Sequence, residues 1–268
     1  MNSPRIKSLI SFLIVSALLI SCATVPLTGR RSLNLVSDAE LSKISLESYR
    51  TVIEEAELST DPAQIEMLRR VGDRIARATV SYLKAHDLPY DQFAWEFNLI
   101  KDDEQVNAWA MPGGKIAVYT GILPIAQNDA GLAAVLGHEI AHVLAKHGNE
   151  RMSHALLVQL GGQTLSAALG QEPGLTSSLL LASYGAGTQV GVLLPHSRLQ
   201  ESEADRIGLT LMAIAGYDPR ASIGLWQRMG AVGGPRPPNF LSTHPQPEAR
   251  IADMQRYMPE AMAIYERR

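Results

Sequence analysis

The sequence predicts an α+β fold that is mostly helical and contains one small antiparallel sheet. Apolar residues recur at helical spacing up to about Lys84, and again from Asp129 almost to the end of the chain. Between these regions the period changes to the alternation that is typical of short strands. The 268 residues are 46% hydrophobic and 19% charged, which supports a sizeable core and excludes a wholly disordered chain.

The N-terminus has the pattern of an export signal. Arg5 and Lys7 precede the apolar run Leu9–Ile20, which at about 12 residues is too short to cross a bilayer as a helix. An ordinary buried helix is the alternative, but charge followed by apolar residues favours export. The one cysteine, Cys22, cannot form an internal disulfide. Leu19–Cys22 resembles the lipobox of bacterial lipoproteins, whose acylated cysteine anchors the protein in a membrane.

We therefore expect three segments in this chain. Residues 1–21 are predicted to be a signal peptide, residues 22–37 a lipidated tether with little periodicity, and residues 38–268 one domain. There is no internal repeat. The net charge of -3 and the lack of a long basic stripe argue against nucleic acid as a partner.

Two helices are expected at the start of the domain. Ser37 or Asp38 can cap the first helix, which should extend to about Leu58. Asp61 can cap the second helix, and Pro62 stands at its first position, where proline is favoured.

Three strand candidates follow these helices. Phe93–Leu99 alternates in polarity, and Val106–Ala110 and Lys115–Thr120 are shorter candidates joined by the turn sequence Met111–Gly114. Strands that are consecutive in sequence favour an antiparallel sheet. Farther on, Gly161–Pro195 is nearly uncharged and rich in small residues, and its glycines favour two short helices over a membrane span.

The segment Gly137–His142 contains the motif H-E-x-x-H. On a helix, His138 and His142 project from the same side because they are four residues apart, and Glu139 lies about 100° around the helix, within reach of a water on the same metal. Zinc prefers tetrahedral nitrogen and oxygen ligands. A surface helix that carries two histidines is the alternative. Apolar residues on most sides of this helix indicate that it is buried, and buried His and Glu need partners such as a metal.

A catalytic zinc site requires a third protein ligand, and Glu201 is the best candidate. Glu201 and Asp205 share a helix face, so one carboxylate could bind the metal and the other could accept the N–H of a ligand histidine. Glu203 is expected to point away from the metal. The alternative is a capped helix with a solvated acidic start.

The longer spacing H-E-x-x-H-x-x-G-x-x-H is absent from this sequence. Ala145 occupies the place of its glycine and Gly148 that of its third histidine. His147 is expected on the opposite face of the motif helix, as a solvent-exposed or second-layer residue.

The combined motifs resemble those of metallopeptidase family forty-eight, the gluzincins related to HtpX and to the CAAX prenyl proteases. In this family H-E-x-x-H is followed by E-x-x-A-D, as it is here. Asn107–Gly114 is similar to the family pattern N-A-x-A-x-P-G-G, and Ser242–Pro245 with Arg250 is similar to its H-P…R element. Pro26–Arg30 looks like the start of the periplasmic lipoprotein members.

The resemblance implies a zincin-like metalloprotease core that holds one Zn²⁺ per chain. The family's metal-site roles carry over to the zinc ligands His138, His142 and Glu201, the general base Glu139 and the supporting carboxylate Asp205. The resemblance also implies that His244 and Arg250 approach the site. There His244 either stabilises the oxyanion or acts as a gate over the metal, and a purely structural role is the third possibility.

We expect a membrane-tethered zinc endopeptidase on the periplasmic side of a membrane that cleaves misfolded or unassembled envelope proteins. The outer membrane is favoured because Ala23, and not aspartate, follows Cys22. An extended substrate could pair as an added strand with Asn107, Ala108, Trp109 and Ala110. The alternatives are a chaperone or scaffold of outer-membrane assembly that seldom cuts, and a zinc hydrolase that acts on small molecules.

Overall fold

The computed structural model describes residues 22–160, 183, 197–232, 239–244 and 247–268. The expected signal peptide and nearly all of the small-residue segment that was predicted to form two helices lie outside the described residues. None of the helices within the described ranges is both long enough and apolar enough to cross a membrane.

The first described residues form a two-stranded hairpin. Strand β1 (Cys22–Thr24) pairs in antiparallel fashion with strand β2 (Arg31–Leu33). Val25 and Val36 are buried in the main core. The segment expected to be a tether therefore has regular structure and packs against the domain. Strands of three residues are too short to show an alternating pattern in the sequence.

Both predicted N-terminal helices are confirmed. Helix α1 (Asp38–Glu55) begins at the N-cap Ser37, whose side chain accepts a hydrogen bond from the third residue beyond it, and ends slightly earlier than predicted. Helix α2 (Pro62–Ala85) begins at the N-cap Asp61, whose carboxylate accepts two backbone N–H groups of the first turn. These caps satisfy amides that the helix itself leaves unpaired.

The three predicted strands are present, but their sheet is mixed. Strands β3 (Glu96–Ile100), β4 (Ala108–Met111) and β5 (Lys115–Tyr119) lie in the order β3-β5-β4. Strand β4 is antiparallel to β5 through a turn in which Gly113 and Gly114 have φ angles of 81° and 83°, whereas β3 is parallel to β5.

The prediction of an antiparallel arrangement is therefore wrong for β3. Strand β5 is buried at every position after its first residue, as expected of a strand covered on both faces, and it occupies the centre of the sheet. Strand β4 lies at one edge. A 3₁₀ turn (Thr120–Ile122) and the short helix α3 (Leu123–Ala126) then lead from β5 towards the metal-binding helix.

The rest of the described chain is helical, as predicted. These helices are α4 (Asp129–Leu144), α5 (His147–Leu160), α6 (Arg198–Ala215), α7 (Ala221–Ala231), α8 (Asn239–Thr243) and α9 (Pro247–Tyr265). Helix α4 is buried from Gly131 to Leu144 and packs against α2, α6, α7 and strand β4. The H-E-x-x-H motif therefore lies on a helix that is buried along nearly its whole length.

Candidate metal centre

The two histidines of the motif face the same side of α4. His138 Nε2 and His142 Nε2 are 3.0 Å apart, and both side chains are almost fully buried. The one-turn spacing of the motif therefore produces the expected pair of imidazoles on one helix face.

Helix α6 brings a carboxylate to this pair. A capping box formed by Ser197 and Gln200 begins the helix just before Glu201. Glu201 Oε2 lies 3.5 Å from His138 Nε2, and Glu201 Oε1 lies 3.3 Å from His142 Nε2. The third candidate ligand is therefore in the same cluster as the two histidines.

His244, which follows helix α8, completes the cluster. Its Nδ1 lies 3.2 Å from His138 Nε2 and 3.1 Å from Glu201 Oε1. The ring stacks on Phe240, whose backbone N–H donates to the carbonyl of Val106 just before β4. Burial lowers the pKa of His244 to about 4, which favours the neutral imidazole that a metal requires.

The donor set fits zinc. His138, His142, Glu201 and His244 each offer one ligand atom, and these four atoms lie within 4.8 Å of one another. In a tetrahedral site with Zn–N distances of about 2.0–2.1 Å, ligand atoms are about 3.3 Å apart, close to the separations found here. Two or three imidazoles and one carboxylate are typical zinc ligands.

Asp205 and Arg250 support the ligands from behind. His138 Nδ1 lies 3.0 Å from Asp205 Oδ1. Arg250 donates to Asp205, approaches His138 Nδ1 and pairs with Glu201 Oε2 at 2.8 Å, while its guanidinium lies over the Trp226 ring. Burial raises the pKa of Asp205, but Arg250 outweighs it and the pKa is lowered. Asp205 is thus a carboxylate that can hold His138 in the tautomer with Nε2 free.

Glu139 lies beside the cluster and is not one of its four ligand groups. Its side chain is 4% exposed, and Nε2 of the His244 imidazole lies 3.4 Å from Glu139 Oε1. Burial raises the pKa of Glu139 to about 8. A divalent cation next to it would lower this value. A carboxylate with such a pKa can both take and return a proton near neutral pH.

A model of peptidase family M48 matches residues 62–258. The chain belongs to peptidase family M48. It is 36% identical over 243 residues to the mitochondrial metalloendopeptidase OMA1 of Schizosaccharomyces pombe, which covers 88% of this chain and 66% of that protein. It is 30% identical over 241 residues to the beta-barrel assembly-enhancing protease of Escherichia coli K12, in an alignment that covers 87% of this chain and 47% of that protein. It is also 30% identical over 251 residues to human OMA1, in an alignment that covers 90% of this chain and 47% of that protein. The chain thus spans between 47% and 66% of the length of these relatives.

One histidine of this M48 chain does not lie where the sequence placed it. Helix α4 ends at Leu144, and Lys146 has a φ of 56°, so the helix is interrupted and His147 begins a new one. His147 is fully buried, and its Nδ1 lies 2.8 Å from Nδ1 of His142. The expectation of a position on the opposite face of one continuous helix is wrong, and His147 is a second-layer residue behind a candidate ligand.

Glu203 points away from the candidate ligands, as expected, but it is not solvated. It is 5% exposed and accepts hydrogen bonds from His147, Thr28 and Arg30. Arg30 also forms a bidentate pair with Glu150. Sequence reasoning missed Arg30 because it lies 173 positions from Glu203.

The strand proposed to hold substrate lies at the edge of the sheet, with its residues buried. Trp109 packs edge-on against Tyr49, with 5.7 Å between the ring centroids. One backbone edge of β4 pairs with β5. Helix α4 also packs against β4. The outer backbone edge of β4 is not paired with any strand among the described residues.

Proposed function

We propose that this chain is a zinc-dependent endopeptidase in which His138, His142 and Glu201 hold the metal and Glu139 is the general base. One observation carries the proposal: the side chains of these three candidate ligands converge within 3.5 Å in a buried cluster that Glu139 adjoins. Membership of peptidase family M48 supports the reaction class.

The side chains divide the chemistry between them. When bound, Zn²⁺ supplies Lewis-acid polarisation of a carbonyl and lowers the pKa of water. Glu139 takes the proton of the attacking water at its carboxylate and returns it to the nitrogen of the leaving amine. Asp205 fixes the tautomer of His138, and Arg250 holds the carboxylates of Asp205 and Glu201 in place.

His244 is better placed as a gate than as an oxyanion donor. Its Nδ1 lies among the four candidate ligand atoms, 3.2 Å from His138 Nε2, and a metal held by the other three would need that place for an attacking water. A neutral imidazole there would compete with water for the metal. The enzyme would then rest in a closed state, and displacement of His244 would open it.

The substrates that we propose are misfolded or unassembled proteins. Strand β4 packs against α4, and its outer backbone edge can pair with an extended peptide as an added strand, which recognises the backbone more than the side chains. Extended segments are accessible in unfolded chains, whereas folded proteins present few of them.

A periplasmic, lipid-anchored location is the further part of the proposal. It is supported by the signal-like N-terminus, by Cys22 and by the bacterial relative that is named for β-barrel assembly. With Ala23 after the cysteine, the outer membrane is favoured. Other relatives are named as mitochondrial. The name of the bacterial relative also favours a second candidate, a chaperone or scaffold of assembly that cuts little.

One experiment separates these functions. The full-length protein and its Glu139→Gln variant are incubated with an unfolded protein and with its folded form, and cleavage and binding are measured. A protease cuts the unfolded form only when Glu139 is present, whereas a chaperone binds it without cutting. Cleavage of neither form, with hydrolysis of small ester or amide substrates, would favour the small-molecule hydrolase.

A further inference from the structure

A continuous chain of hydrogen bonds links the N-terminal hairpin to a candidate zinc ligand. Arg30 Nε donates to Glu203 Oε2 at 2.8 Å, and His147 Nε2 lies 2.9 Å from the same oxygen. His147 Nδ1 lies 2.8 Å from His142 Nδ1, and His142 Nε2 faces the ligand cluster. Thr28 donates to the other oxygen of Glu203.

The chemistry of these groups fixes the direction of every hydrogen bond. To bind a metal through Nε2, His142 must carry its proton on Nδ1, and the acceptor for that proton is Nδ1 of His147. His147 must then carry its proton on Nε2, which donates to Glu203. A carboxylate cannot donate, so Glu203 accepts from His147 and from the turn at Thr28 and Arg30.

Burial makes this arrangement specific. His147 is fully buried and Glu203 is 5% exposed, so water cannot easily replace a lost partner. Arg30 is the only positively charged side chain in an ion pair with Glu203 among the described residues, apart from His147 if that ring is protonated. Glu150 holds the guanidinium from its other side at 2.7 Å. Two carboxylates, Glu203 and Glu150, therefore hold the guanidinium of Arg30 and fix the hairpin turn to the domain.

We infer that Arg30 and Thr28 are positioning residues of the metal centre, which act on His142 through Glu203 and His147. The inference rests on the proposed zinc site. Both residues lie outside the 62–258 region that the family model matches. A carboxylate that accepts the N–H of a ligand histidine orients the ring and raises its basicity, and here a second histidine extends that relation by one step.

The first test measures zinc affinity of the full-length protein by competition with a chromophoric chelator. Arg30→Ala and Thr28→Val should raise the zinc Kd by about 10–100-fold, the usual effect of losing an outer partner of a metal ligand. The matched controls are Arg31→Ala and Thr24→Val, which alter exposed residues of the same hairpin and should leave the Kd unchanged. If Arg30→Ala does not fold, Thr28→Val decides, because it removes only a hydroxyl.

A merely structural role for the hairpin predicts a different result. The thermal unfolding temperature of the metal-free variants would fall. Their zinc Kd, and the visible spectrum of their cobalt-substituted forms, would match those of the controls. That outcome would overturn the inference. The positioning role predicts instead a changed cobalt spectrum, because the angle of the His142 ring changes.

A double-mutant cycle tests whether the residues act as one chain. His147→Ala should weaken zinc binding, and adding Arg30→Ala to it should weaken binding little further, because the path to His142 is already broken. Effects that add fully in log Kd would exclude this path. Glu203→Gln, which keeps an oxygen acceptor for His147, should retain more affinity than Glu203→Met.

These measurements do not depend on proteolysis. A wild-type protein that binds zinc and cuts nothing would contradict the proposed function and leave the positioning inference standing. A wild-type protein that binds no zinc would overturn both.

Discussion

Gly137 of α4 and Gly208 of α6 lie face to face. A Cβ atom on Gly208 would lie 3.1 Å from the carbonyl carbon of Gly137 and equally close to the backbone nitrogen of His138. Backbone atoms cannot rotate away as a side chain can. Gly208→Ala should therefore move α6 away from α4 and Glu201 away from the histidines. Overpacking of this kind costs about 1–3 kcal/mol, so we expect lower thermal stability together with weaker zinc binding.

Gly224→Ala is the matched control for this variant. A Cβ at that position of α7 would meet only the end of the Arg228 side chain, which can move. Alanine in place of glycine in a helix should be neutral or stabilising by about 0.5–1 kcal/mol. A Gly208→Ala protein that unfolds and binds zinc as this control does would contradict the close approach of the two helices.

Glu139→Gln should keep the metal and lose the reaction. The substitution preserves shape and removes the proton acceptor, so cleavage of an unfolded protein should fall by about 10²–10⁴-fold. Zinc content is measured on the same preparation. Full proteolysis by a zinc-loaded Glu139→Gln protein would rule out this residue as the base.

Glu201→Ala and Glu203→Ala should differ in degree. Glu201 offers an oxygen within the cluster of ligand atoms, so its loss should leave the purified protein with little zinc. Glu203 reaches the cluster only through His147, so its loss should weaken zinc binding by about 10–100-fold without abolishing it. Metal content and chelator competition are measured for the two variants. Equal zinc in both would contradict the assignment of Glu201 as the third ligand.

His244→Ala should raise basal cleavage. His244 Nδ1 lies among the four candidate ligand atoms, and alanine cannot fill the place that we propose for the attacking water. Initial rates for the variant and the wild type are compared at equal zinc occupancy. A rate that falls by about 10²–10³-fold would instead identify His244 as a donor to the transition state. Identical rates would leave it a structural role only.

Cys22→Ala should release the protein from the membrane and leave its chemistry intact. The thiol is the proposed site of acylation, and Cys22 is the first residue of β1. Cell fractionation shows where the variant lies, and cleavage of an unfolded protein shows that the site survives. A variant that stays with the membrane would mean that another part of the chain holds it there.

Local signals in the sequence were sufficient for much of this structure. The caps Ser37 and Asp61 and the spacing of His138 and His142 act within one or two helical turns, and each was found where it was predicted. The resemblance to the family then brought His244 and Arg250 to the same site, and both are there.

The features that sequence reasoning missed depend on the path of the chain between elements. Strand β3 runs parallel to β5 because of how the connection after it is routed, which no local pattern records. His147 turns back towards His142 because Lys146 adopts a left-handed conformation that lysine seldom shows. Arg30 has no local reason to be buried, and its partners lie 120 and 173 positions away.

If Cys22 carries a lipid, as proposed, the hairpin also sets how far from the bilayer the protein can work. Arg30 lies eight positions after Cys22, and at about 3.3–3.6 Å per position this stretch could span no more than about 29 Å even if fully extended. Arg30 is held by Glu203 and Glu150, so only the residues of the hairpin itself could extend between the domain and a lipid on Cys22. A lipid on Cys22 would therefore confine proteolysis to a shallow layer above the membrane surface. Substrate proteins at the membrane surface would be within reach of the active site. Substrate proteins farther from the membrane would first have to diffuse to that surface.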